Sequence, residues 1–285
     1  MRRLIVTVGW SLAVLVPVAR GDESPLAQDW DYTKSMKKVA DRFRGRPGVV
    51  LYIGDSITYS NPYGQWARAG KGKTAEDSAI LAWMHTGADN DTDGWWLARF
   101  DHPEGGRSHT ACSGIRADEM LAGGTRKMPS LAQMLDTYKP QMAVVMLGTN
   151  DASANRPAAA FKADMEKAVE LMLERGVICI LSTIPPHRGK PELAKQYNEA
   201  LRQLAKAREL PLIYYEQEIL KRRRDDWNGT LLQKDDVHPT TGQDGATPTS
   251  EPTAENLRNS GYLLRGWLSV RKIAEVKHRV VDRKP

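Results

Sequence analysis

The chain is poor in cysteine, with only Cys112 and Cys179 among 285 residues. That excludes a disulfide-dense scaffold and a multi-cysteine zinc site. Cys179 falls inside the apolar run 177–181, where a buried thiol is expected rather than a bridge. There is no internal repeat, heptad run or long low-complexity tract, which argues against solenoids and coiled coils. No His-rich or Asp-rich metal constellation stands out, so neither a metal nor a cofactor is expected. Dense positive charge is confined to Lys221-Arg222-Arg223-Arg224, followed by Asp225-Asp226, which reads as a solvated face. The formal net charge of +6 falls to +3 without residues 1–21, which carry three Arg and no acid. A nucleic-acid partner is therefore not expected.

What is present is ordinary for a soluble globular protein, at 41% apolar and 27% charged residues. Residues 1–21 combine Arg2-Arg3, an apolar run from Leu4 to Ala19 and a small-residue exit, the pattern of a secretory signal peptide. The run is short for a membrane span and contains Gly9, Ser11 and Pro17, so the expectation is export to a secreted or periplasmic location with no stable membrane insertion afterwards. No Cys follows the apolar core, which counts against a lipoprotein. Residues 22–285 are then expected to form one domain.

Three apolar runs of buried-strand type follow, at 49–53, 142–147 and 177–181, with a further strand at 212–215. Between them lie helical periods. Met36, Val39, Ala40 and Phe43 mark one over 32–43; Leu131, Met134, Leu135 and Tyr138 mark another, stopped by Pro140. A third carries Phe161, Met165, Ala168, Val169 and Met172, and a fourth Leu193, Tyr197, Ala200, Leu201 and Leu204. A closing helix is expected over 254–276. This alternation means βαβ units, a parallel sheet, and helices on both faces. Residues 57–113 break the rhythm with a Trp- and Gly-rich insert bearing Trp66, Trp83, Trp95 and Trp96. Trp95 and Trp96 are candidates for a substrate-stacking platform, against the plainer reading of subdomain core. The run Asp89-Asn90-Asp91-Thr92-Asp93-Gly94 matches the first half of a calcium loop, but Phe100 stands where the closing Glu is needed, so an Asx-rich turn is expected.

The candidate chemistry lies at strand ends. Gly54-Asp55-Ser56 closes the first run, where an open parallel sheet gathers its ligands. Gly148-Thr149-Asn150-Asp151 closes the run at 142–147, and Asp235-Asp236-Val237-His238-Pro239 precedes the last helix. A hydroxyl nucleophile needs a base and the base an orienting acceptor, roles open to Ser56, His238 and Asp235. In this order the motifs resemble the SGNH hydrolase (GDSL esterase/lipase) superfamily, from about Val49 to the last helix. The four residues that name that family fall on Ser56, Gly114, Asn150 and His238. Gly114 is preferred over Gly105, Gly106 and Gly123 because Ser-Gly-x-x-Ala-x-x-Met leads into a helix.

The resemblance implies a three-layer α/β/α sandwich of flavodoxin-like type. It implies a triad of Ser56, His238 and Asp235, and an oxyanion hole from the backbone N–H groups of Ser56 and Gly114 with the Asn150 amide. The sequence departs from the family in its longer 57–113 insert, in its extended 240–253 loop, and in Asp236, which replaces a common Gly and puts a second carboxylate near His238. The implied activity is a secreted serine esterase acting on small-molecule or glycan esters. A lipase or arylesterase, a non-catalytic glycan-binding module on the same fold, and a metal-dependent phosphoesterase are the alternatives. The intact Ser and His speak against a retired enzyme, and the missing long apolar lid helix speaks against long-chain lipids.

Overall fold

The computed structural model describes residues 24–100 and 109–282. The expected signal peptide lies outside them. Four parallel strands form the central sheet in the order β1 (Val50–Gly54), β2 (Met142–Met146), β3 (Ile178–Ser182) and β4 (Leu212–Ile213). The register is set by Val50 opposite Met142, Met142 opposite Ile178 and Leu181 opposite Leu212. Every strand residue is buried, so the runs read as continuously apolar rather than alternating. Each large aliphatic side chain buried this way contributes roughly 1.5–3 kcal/mol.

Among the helices that frame the sheet are α1 (Thr33–Arg42), α2 (Leu131–Tyr138), α3 (Ala158–Glu174), α4 (Pro191–Ala207) and α5 (Gly261–Val276). α3 packs on β3 with α2 and α4 beside it, while α1 also meets β3 and α5 meets β4, completing an α/β/α sandwich. Ser130 and Gln133 close a capping box at the start of α2, and Lys139 ends that helix in the left-handed conformation. Cys112 and Cys179 are both buried and form no disulfide; burial pushes the Cys179 thiol far up.

Two element boundaries differ from the sequence expectation. The closing helix is broken in two, Ala254–Asn259 and α5, because Ser260 leaves helical geometry and its Oγ accepts from Leu263 N at 3.3 Å as the cap of α5. The expected strand over 212–215 stops at Ile213, since Tyr215 opens a new helix, Tyr215–Arg222.

The Trp-rich insert folds onto the sheet. Its segments Asn61–Gly64, Gln65–Ala69 and Ala75–Trp83 pack against α5, and Gly94–Arg99 packs along β1. Beyond that helix, His109 N donates to Leu97 O at 3.1 Å and Cys112 N to Gly54 O at 3.1 Å, while Ala111 bridges Gly54 in parallel. The insert thus covers the free edge of β1, which would otherwise expose a row of unpaired backbone groups.

Candidate active site

Ser56 stands at the carboxyl end of β1 as the first residue of the short helix Ser56–Tyr59. Gly54 is needed there because a Cβ would lie 2.2 Å from Thr58 Oγ1 and 2.7 Å from Met146 O. Asp55 caps the helix, its Oδ1 accepting from Ile57 N at 3.0 Å. From below, α5 supplies the buried Arg265, which donates to Ile57 O at 2.7 Å and Thr58 Oγ1 at 2.8 Å. Its guanidinium lies 3.6 Å from the centre of the Tyr63 ring. The nucleophile's turn is therefore clamped by a cation that the apolar pattern of the closing helix does not announce. Its only trace in the sequence is a charge at 265 between the apolar Leu264 and, beyond Gly266, Trp267.

His238 reaches this turn from the loop before α5. Its Nε2 is 2.8 Å from Ser56 Oγ. Its Nδ1 is 2.9 Å from Asp236 Oδ1 and 3.0 Å from Oδ2, so an Nδ1–H tautomer donates to Asp236 and leaves Nε2 free to accept from the serine hydroxyl. Burial opposes ionisation of Asp236, but bonds from His238 and from Val237 N–H outweigh it and hold the carboxyl below its usual range.

The expectation that Asp235 orients His238 is corrected. Asp235 sits in the left-handed region at φ 60°, and its carboxylate pairs with Arg188 and accepts from Asn228 Nδ2 at 3.3 Å. Asn228 Oδ1 also holds the Asp235 backbone N–H at 2.8 Å. The extra carboxylate that departs from the family pattern is the one at the imidazole.

The other expected donors gather at the same edge. The backbone N–H groups of Ser56 and Gly114 have no hydrogen-bond partner among the described residues. Gly114 is exposed and takes φ 80°, a conformation that strains any residue with a Cβ. The segment following it is pinned by Asp151, which accepts from Ala117 N at 3.1 Å and pairs with Arg156 at 2.5 Å. Asn150 is close by, but its amide is engaged: Nδ2 lies 3.2 Å from Asp55 Oδ2 and 3.2 Å from Ile115 O. Asp55 is fully buried, and burial pushes its carboxyl up to about 6 against the opposing pull of Ile57 N–H, Arg265 and His238.

Trp95 does not face this site. It is 3% exposed, stacked on Tyr52 with ring centres 3.7 Å apart, and met edge-on by Tyr63. Trp96 stacks on Phe100 and leans on His109, whose Nδ1 is 2.6 Å from the hydroxyl of Tyr138 at the end of α2. Trp95 is thus spent on packing against Tyr52 of β1, while Trp96, half-buried, is taken up by Phe100 and His109. In the acidic run, Asp89 and Asp93 pair with Arg68 and Asp91 pairs with Arg46, while Asp93 also caps Gly94–Arg99. These carboxylates have their cations in the protein itself. Among the described residues, no group of three or more His, Cys, Asp and Glu side chains is placed to hold a metal.

Residues 52–242 match the GDSL-like lipase/acylhydrolase family. No curated protein matches the chain. Among solved structures, a GDSL-like lipase from Bacteroides thetaiotaomicron is similar at 17% identity and a TM-score of 0.50, covering 86% of this chain and 100% of that one. A lipase/acylhydrolase from Enterococcus faecalis shares 20% identity over 83% of this chain and 98% of that one, with a TM-score of 0.46. An acetyl xylan esterase from Geobacillus stearothermophilus shares 17% over 79% and 93%, with a TM-score of 0.47. The likeness at a TM-score of 0.50 speaks to the fold alone, and the family match spans well over half of the sequence. The chain belongs to the GDSL-like lipase/acylhydrolase family and is a carboxylic ester hydrolase.

Proposed function

We propose that this protein is an exported serine esterase that removes small acyl groups, carbohydrate esters among them, through Ser56, His238 and Asp236. The observation that carries the reading is the continuous relay from Ser56 Oγ to His238 Nε2 at 2.8 Å and from Nδ1 to Asp236 at 2.9 Å. In the first step Ser56 Oγ attacks the ester carbonyl carbon and its proton passes to His238 Nε2. Asp236 stabilises the imidazolium and holds the tautomer. The carbonyl oxygen, now an oxyanion, takes the partnerless N–H groups of Ser56 and Gly114. Asn150 joins them when substrate draws its amide from Asp55 or Ile115. The imidazolium then protonates the departing alcohol, leaving an acyl-serine. Water, deprotonated by His238, attacks the acyl carbon and releases the acid with Ser56 restored.

Export is supported by the leader pattern of residues 1–21. No helix among the described residues is long and apolar enough to cross a membrane. Small acyl groups are favoured because, among the described residues, the insert after the nucleophile contributes only short helices rather than a long apolar one of the kind a lipid-binding lid uses. The test is hydrolysis of p-nitrophenyl acetate by the mature protein, then acyl release from acetylated glycans against aryl and long-chain lipid esters. Turnover that is lost in Ser56→Ala is expected; an unchanged rate in that variant would contradict the assignment.

A further inference from the structure

We propose that Arg126 is a specificity-determining residue that favours esters carrying a carboxylate close to the scissile bond. This rests on the reading of Ser56 and Gly114 given above and names the substrate class of that site. Arg126 belongs to the loop between Ala117–Ala122 and α2. The loop is closed on itself by Gly124 N to Met128 O at 2.8 Å, Lys127 N to Gly124 O at 3.1 Å and Met128 N to Thr125 O at 3.0 Å. Gly123 and Gly124 have φ of 72° and 86°, and the next residues but one, Arg126 and Lys127, have 49° and 61°. Two non-glycine residues in succession in the left-handed region are costly, and such strain persists where a structure over-determines it.

The consequence is placement. The guanidinium of Arg126 turns back over the oxyanion-donor segment, where its Nη1 donates to Ser113 O. A carbon added at Gly114 would stand 3.2 Å from Nη2. A cation therefore sits directly against the residue whose N–H awaits the carbonyl oxygen.

What separates Arg126 from the other arginines of this edge is the lack of an acid. Arg188 is neutralised by Asp235. Arg116 takes Asp118 and Glu119, and Arg156 takes Asp151, Asp164 and Asp118. Among the described residues, Arg126 pairs with no carboxylate, and Glu119, on the helix before this loop, is held by Arg116 N and Thr125. One N–H serves Ser113 O, and the remaining donors of the fork are available to a ligand. An arginine fork matches a carboxylate geometrically and is held here before substrate arrives. The site is exposed, so the gain is screened and the expected preference is about tenfold rather than the hundredfold of a buried pair.

The test compares matched esters: monoethyl succinate against ethyl butyrate for charge on the acyl side, and 3-acetoxybenzoate against phenyl acetate for charge on the alcohol side. The wild-type protein is expected to favour the charged member of at least one pair about tenfold in kcat/KM. The preference should fall towards one in Arg126→Gln, survive in part in Arg126→Lys, and weaken as salt is raised from ~20 to ~500 mM. Equal rates within both pairs, or a preference that Arg126→Gln leaves intact, would overturn it. Failure of the esterase reading looks different, because all four esters then go unhydrolysed. Arg126 is judged in that case by binding of 3-acetoxybenzoate in the Ser56→Ala background, which should weaken about tenfold when Arg126→Gln is added; unchanged binding would overturn the proposal. Where Arg126→Gln does not fold, Arg126→Lys and the salt dependence of the wild type carry the same decision.

Discussion

The carboxyl edge of the sheet and the Trp-rich insert make opposite use of similar resources. The insert holds the residues that look most like a ligand site: adjacent indoles, and three aspartates in a calcium-like spacing. In the structure they are taken up by the protein's own side chains. Trp95 lies between Tyr52 and Tyr63, and Asp89, Asp91 and Asp93 are claimed by Arg68 and Arg46. The carboxyl edge has fewer eye-catching residues, yet there Ser56 N and Gly114 N have no protein partner and Arg126 pairs with no acid among the described residues. The comparison teaches that partnerless polar groups, and not richness in reactive residue types, mark the place where a substrate is expected.

The largest effect that would break this contrast lies in the Asp235–Asp236 pair. Asp236→Ala removes the acceptor at His238 Nδ1 and should lower kcat by about 10³–10⁴, the scale seen when a triad acid is lost. Asp235→Ala frees Arg188 and Asn228 and should cost less than about tenfold. Steady-state kinetics on one aryl ester decides it, and the reverse ranking would return the role to Asp235.

Next in size is Trp95→Ala, which opens a cavity against Tyr52 and should cost about 3–5 kcal/mol of stability in chemical denaturation. Turnover per folded molecule should persist; selective loss of turnover with stability retained would restore a substrate role to this indole.

A third prediction concerns Asp55. Its folded pKa of about 6 is above the ordinary 3.8, so the folded state binds more protons than the unfolded state between those values. This carboxyl therefore lowers stability as pH rises through that window, by about 3 kcal/mol in full. Asp55→Asn keeps a capping residue and removes the charge. Measured by urea unfolding, the stability of Asp55→Asn relative to wild type should rise from pH 4.5 to pH 7.5. A flat or falling difference would contradict the buried, ionisable state assigned to Asp55.

The smallest effect sharpens the other side of the comparison. Asp91→Asn breaks the Arg46 pair at 2.9 Å on an exposed surface and should change stability by less than about 1 kcal/mol. Added calcium or EDTA should leave both unfolding and activity unmoved; a calcium-dependent rise in midpoint would show that the acidic run holds a cation after all.

Much of this was legible in the sequence because buried parallel strands write themselves as unbroken apolar runs. β1, β2 and β3 fall on such runs, His238 Nε2 lies 2.8 Å from Ser56 Oγ, and Asn150 Nδ2 lies 3.2 Å from Asp55 Oδ2 beside it. Spacing alone does not decide which of two adjacent carboxylates, Asp235 or Asp236, faces an imidazole; the left-handed backbone at Asp235 and its capture by Arg188 and Asn228 decide it. The break at Ser260 was hidden because helical periodicity continues across it, and only the cap to Leu263 N reveals it. Arg265 was missed because an isolated charge on an apolar face has no motif. Trp95 is ambiguous in the sequence because an indole suits a sugar-binding surface and packing on a strand equally well.

The most direct measurement is covalent labelling of the mature protein with a fluorophosphonate ester, followed by peptide mass spectrometry and by labelling rates in the two aspartate variants. One adduct on Ser56 is expected, formed far more slowly in Asp236→Ala and at nearly the wild-type rate in Asp235→Ala. Labelling at another residue, no labelling of folded protein, or equal rates in Asp236→Ala and wild type would contradict the relay of Ser56, His238 and Asp236.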